Sequence, residues 1–218
     1  MRYTDTLREA AGEQWTRVTH HKFTDKLAES TISKEVLSKY LIQDHRFLDA
    51  FVCLLSSIIA KARCLSDRIE GCQFLALITG KENTYFERSL KKLGWEKNDH
   101  VPDADCTKAF VGLMRDVVEN GTLAEMLAVI VVCEWSYLSW GERVLSKTVR
   151  KDDNFECYEW VDLHSGEYFA SVIEYLRGLL DKEGTLIDED EKIKVKKRFL
   201  QAVQCEEDFF DYAYSTEE

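Results

Sequence analysis

A single proline, Pro102, stands in a chain of 218 residues. Proline is the residue that helix interiors exclude most strongly, because it lacks an N–H and its ring clashes with the preceding turn. A chain this poor in proline can run as helix almost everywhere. Its apolar residues recur at i, i+3, i+4 and i+7 in one long segment after another, with almost no period-two alternation. The pattern predicts helices near 4–29, 33–61, 66–92, 105–119, 122–148, 154–182 and 188–214, the first broken around Thr19–His21 and the sixth around Leu163–Gly166. Ser33 is placed to cap the second helix, Thr122 with Glu125 reads as a capping box directly after Gly121, and Gly94, Gly121 and Gly184 suit helix ends. The polar stretch Glu96–Asp105, which holds the proline, reads as the least regular connection, and 185–192 as a solvated acidic loop. No shift in composition, flexible linker or repeat divides the chain. Residues 1–218 are therefore expected to form one all-α domain, a multi-helix bundle around a shared core.

Charge narrows the partners. There are 29 Lys+Arg against 40 Asp+Glu, a formal net charge of −11 with no basic tract. Such a field repels a phosphate backbone and an anionic membrane, so neither nucleic acid nor lipid is an expected partner. The longest aliphatic run, Met126–Val132, falls well short of the roughly 20 residues that cross a bilayer. Seven cysteines at scattered positions form no paired framework, and no basic-then-apolar leader opens the chain, which fits free thiols in a cytoplasmic protein.

The chemistry is most visible in Ala128-Val-Ile-Val-Val-Cys133-Glu134-Trp135-Ser-Tyr137-Leu-Ser-Trp140. Burying the Glu134 carboxylate bare costs several kcal/mol, so it needs a proton, a partner or a cavity. Cys133 and Tyr137 project from nearby parts of the same helix, so a thiol, a carboxyl and a phenol can line one pocket. A core thiol beside a structural hydrogen bond fits the same segment. Asp44 lies in Tyr40-Leu-Ile-Gln-Asp44-His-Arg-Phe47 on a face with Leu41, Leu48 and Phe51, and Glu206 precedes Phe209-Phe210-Asp-Tyr212. Alone, either acid also reads as an amphipathic surface residue. His164 sits beside aromatics and Gly166 at an expected bend, where a helix-end role is equally open. No Glu-x-x-His, Cys-x-x-Cys or His-Glu-x-x-His occurs, so no metal or other cofactor is expected, and a di-metal oxygenase is disfavoured.

These motifs, in this order, resemble the TenA/thiaminase II family: Tyr-Leu-Ile-Gln-Asp44, Cys133-Glu-Trp-Ser-Tyr-Leu-Ser-Trp-Gly-Glu142, Trp160 through Phe169, and Glu206 before paired aromatics. The resemblance implies a haem-oxygenase-like bundle, assembled as a homo-oligomer, usually a tetramer, with a pocket for a thiamin-derived aminopyrimidine. The implied activity is hydrolysis of aminomethylpyrimidine or its N-formyl derivative to hydroxymethylpyrimidine for thiamin salvage. By position, Cys133 falls on the nucleophile, Asp44 on the acid that contacts the ring and helps activate the thiol, and Glu206 on the acid serving the ring amine and leaving group. Phe47, Phe110 and His164 stand where the cysteine class usually has tyrosines, while Glu134 and Trp160–Gly166 look like the eukaryotic class that lacks the cysteine. If Cys133 is idle, Glu134 and Glu206 are placed to activate water instead. Phe47, Phe110, Tyr137, His164 and Phe210 are the expected ring contacts. A non-catalytic pyrimidine-binding or regulatory protein is the alternative, motivated by the missing tyrosines.

Overall fold

A computed structural model describes residues 1–215 apart from Glu96, Asn98 and Asp99. Among these the chain forms eleven α-helices and no strand: α1 (Tyr3–Ala11), α2 (Glu13–Thr19), α3 (Lys22–Ala28), α4 (Lys34–Lys61), α5 (Leu65–Leu77), α6 (Asn83–Leu93), α7 (Asp105–Asn120), α8 (Leu123–Leu145), α9 (Phe155–Leu163), α10 (Gly166–Gly184) and α11 (Glu189–Tyr214). One π-helical turn, Ile78–Glu82, joins α5 to α6.

The least polar helix lies at the centre. Every residue of α8 from Ala124 to Tyr137 is buried, which is the fate of a helix that is apolar on all sides. By length and composition α8 could cross a membrane, but α10, α11, α4, α2, α3 and α9 pack around it and cover that surface. Each Leu, Ile or Phe so buried contributes about 1.5–3 kcal/mol. One contiguous set of buried apolar side chains runs from Leu7 to Ala213.

The helix boundaries follow local chemistry. Ser33 Oγ accepts from the Val36 N–H at 3.2 Å, and Thr122 and Glu125 close a reciprocal capping box. Gly94 ends α6 in the left-handed conformation, with φ 86°. The break expected at Thr19–His21 lies between α2 and α3, and the one at Leu163–Gly166 lies between α9 and α10. Two interruptions were not anticipated. Gly12, at φ 54°, separates α1 from α2, a conformation that a side chain disfavours. The segment expected as one helix over 66–92 is divided by the π turn. The acidic loop is shorter than expected, because α11 begins at Glu189 with the Asp188 side chain accepting from the Glu191 N–H. Part of the connection expected over 96–105 lies outside the described residues.

Candidate active site

Asp44, Phe47, Leu48 and Phe51 sit at i, i+3, i+4 and i+7 on α4 and therefore share one face. That face, the Cys133–Tyr137 stretch of α8, Glu206 and Phe209 of α11, Phe110 of α7, and Trp160 and His164 around the end of α9 close on one hollow. The π turn and α6 complete the wall with Glu82 and Phe86.

Four carboxyl groups face the hollow and all are buried: Asp44, Glu82, Glu134 and Glu206. No lysine or arginine is among the described lining residues. One oxygen of Asp44 and one of Glu134 are fully enclosed without a hydrogen-bond partner. Burial without a counter-charge favours the protonated acid, and Asp44 is pushed up to about 7 by it, against an opposing hydrogen bond from Tyr40. Burial also raises Glu82, Glu134 and Glu206 well above the ordinary carboxylate range. Negative charge nearby raises them further: Glu134 and then Asp44 act on Glu82, Glu206 and then Asp44 on Glu134, and Asp44 on Glu206. Burial and the mutual repulsion of the four carboxyls therefore both favour the protonated form.

The Cys133 thiol donates to the Val129 carbonyl at 3.3 Å. Burial first, then Glu206 and Glu134, hold it well above the usual thiol range, so the empty pocket contains a thiol and not a thiolate. Of the carboxyls, Glu206 acts on it most strongly. Burial lowers His164 to about 4. Its Nδ1 lies 2.8 Å from the Trp160 carbonyl, which can only accept, so the neutral ring carries its proton on Nδ1. The Tyr40 and Tyr137 hydroxyls meet at 2.5 Å. Phe47 packs on Phe110 with ring centroids 4.9 Å apart, and His164 on Trp160 at 4.2 Å. Gly141 is required at the contact between α8 and the α9–α10 break, because a Cβ there would lie 2.1 Å from the His164 carbonyl oxygen.

Asp44, Cys133, Glu134 and Glu206 thus line one hollow, together with Phe47, Phe110, Tyr137 and His164. Phe210 does not, and the expectation for it is corrected. Its ring is stacked between His21 at 5.5 Å and Tyr40 at 5.9 Å, while Phe209, one residue and about 100° around the helix, takes the lining position. Sequence reading also missed Glu82. A signal existed: Phe74, Ile78, Glu82, Phe86 and Leu90 form a row at spacing four, all buried. A carboxylate in the middle of an apolar row is as informative as Glu134 was.

Fold and pocket together define an all-α bundle whose central helices enclose a hollow lined by buried acids and aromatic rings. The chain belongs to the TENA/THI-4/PQQC family, which it matches over residues 8–216. It is 24% identical over 217 residues to the aminopyrimidine aminohydrolase of Halalkalibacterium halodurans, covering 99% of this chain and 96% of that one. It is 23% identical to the enzyme of the same name from Bacillus subtilis, covering 100% and 92%. Among solved structures, a TenA homologue from Pyrococcus furiosus superposes with a TM-score of 0.87 at 23% identity over 97% of this chain and all of that one. The architecture is the haem-oxygenase-like helical bundle.

Proposed function

We propose that this chain is an aminopyrimidine aminohydrolase of thiamin salvage, exchanging the amine of a thiamin-derived aminomethylpyrimidine, or the formamido group of its N-formyl derivative, for a hydroxyl from water. The products are hydroxymethylpyrimidine and ammonia, or formamide from the formyl compound. The observation that carries the reading is the set of four buried carboxyls around an aromatic hollow with no lysine or arginine among its described lining residues: it suits a flat ligand rich in N–H groups. The names of the full-length relatives point to the same chemistry.

In this reading the aromatic walls hold the ring and the acids divide the proton work. A protonated glutamic acid donates to a ring nitrogen, which makes ring carbon electrophilic, and Glu206 protonates the departing amine. Asp44 is the base. Cys133 attacks only after losing its proton, and Glu206 is the carboxyl best placed to influence that transfer. If the thiol is idle, ionised Asp44 and the Glu134–Glu206 pair activate water directly. The chain belongs with the class that generally lacks the cysteine, while carrying one at the nucleophile position, and it works as a homo-oligomer in the cytoplasm. Purified protein incubated with the aminopyrimidine should release ammonia and hydroxymethylpyrimidine in equal amounts. Tight binding of the pyrimidine with no release would restore the binding-protein alternative.

A further inference from the structure

Buried carboxylates elsewhere in this molecule are paired with cations. Glu125 meets Arg198 at 2.9 Å, Glu156 meets Lys92 at 2.5 Å, and Glu183 meets Arg63 at 2.5 Å. Glu134 and Glu82 are buried too, though slightly less deeply, and neither has a hydrogen bond or ion pair to any described residue. One Glu134 oxygen is fully buried and unpartnered against the hollow. A buried acid that serves the fold is satisfied by the fold. An enclosed, unpartnered Glu134 oxygen, with Glu82 lining the same cavity, marks a place where the ligand supplies the partner.

The backbone at Glu82 is also unusual. It closes the π-helical turn Ile78–Glu82, and such single turns inside helices occur frequently at functional sites. Its row on the helix, Phe74, Ile78, Phe86 and Leu90, is otherwise apolar and buried, so the carboxyl is held toward the hollow by the packing of its neighbours. The titratable groups around that hollow are Asp44 from α4, Cys133, Glu134 and Tyr137 from α8, His164 after α9, and Glu206 from α11. His45 is tied to the adjacent Asn83 at 3.2 Å. None of the groups that line the hollow with Glu82 offers it a positive charge: His164 is neutral, and the rest are acids.

We propose that Glu82, with Glu134, is a specificity residue that selects pyrimidines bearing a positively charged amino group over their neutral counterparts. The proposal rests on the hydrolase reading and refines it. A free aminomethyl group is an alkylammonium near neutral pH, whereas the hydroxymethyl product has no charge. A pocket whose surplus acids ionise only against a bound cation therefore holds substrate more tightly than product, and binding expels protons.

The test is calorimetric titration of wild type and Glu82→Gln with 4-amino-5-aminomethyl-2-methylpyrimidine and with its hydroxymethyl analogue, each in two buffers of different ionisation enthalpy. Glu82→Gln should bind the aminomethyl compound roughly tenfold more weakly, bind the hydroxymethyl compound within about twofold of wild type, and release fewer protons. Glu82→Asp, which keeps the charge, should retain more of the preference than Glu82→Gln does. Equal weakening toward both compounds, or no change toward either, overturns the proposal, as does wild type that binds neither. Wild type that prefers the amine but releases no ammonia defeats the hydrolase reading and leaves the selectivity standing. Normal turnover with an unchanged preference in Glu82→Gln defeats the selectivity alone.

Discussion

Replacing Asp44 by asparagine keeps the shape of the side chain and removes its ionisation, so it measures the electrostatic cost of the empty pocket. Burial raises Asp44 from 3.8 to about 7, so the folded state holds that proton more tightly than the unfolded chain does. The resulting stabilisation is complete below pH 4, where both states are protonated, and is lost as the pH rises toward 7. Above pH 7 the folded protein carries a penalty of about 4 kcal/mol relative to low pH. Asp44→Asn has no such loss. Urea unfolding followed by tryptophan fluorescence should therefore show the variant gaining on wild type by about 3 kcal/mol between pH 5 and pH 8. Relief of the repulsion that Asp44 exerts on Glu82, Glu134 and Glu206 acts in the same direction. The gain in stability should accompany a loss of turnover of about 100-fold or more, because the base is gone. A stability difference that stays flat across this pH range refutes the reasoning, since it would mean that Asp44 is solvated or already paired.

Three further substitutions divide the remaining roles. Glu206→Gln should lower kcat by about 10²–10⁴ while leaving the far-ultraviolet circular dichroism unchanged, because the shape is kept and only proton transfer is lost. Cys133→Ser decides the route: a fall of similar size in kcat assigns the thiol as nucleophile, and near-normal kinetics assigns the attack to water. Gly141→Ala should destabilise the fold by about 1–3 kcal/mol and lower kcat/KM, because the new methyl group collides with the His164 carbonyl and displaces the backbone that holds the His164 ring; unchanged melting and kinetics would show that the α9–α10 break yields freely.

Much of this protein was legible before any coordinates. The rarity of proline and the repeating helical period specified a bundle of long helices, because backbone preference and apolar spacing are local properties. Ser33 and the Thr122–Glu125 box marked helix starts for the same reason, since a cap is a hydrogen bond between residues three apart. Glu134 could be singled out because an acid within an apolar run must find a special environment wherever the helix lands. What could not be read was which distant side chains share that environment. Whether Phe209 or Phe210 lines the hollow depends on the rotation of α11 against α4 and α8, and a turn of about 100° separates the two. The unforeseen π turn leaves almost no trace in composition, yet it completes the wall with Glu82. That Glu206 presses hardest on the Cys133 thiol, and that burial raises all four carboxyls, also follow only from assembly. A proton's affinity for one acid is set by the water it has lost and by the charges brought near it, and both are created when the helices pack.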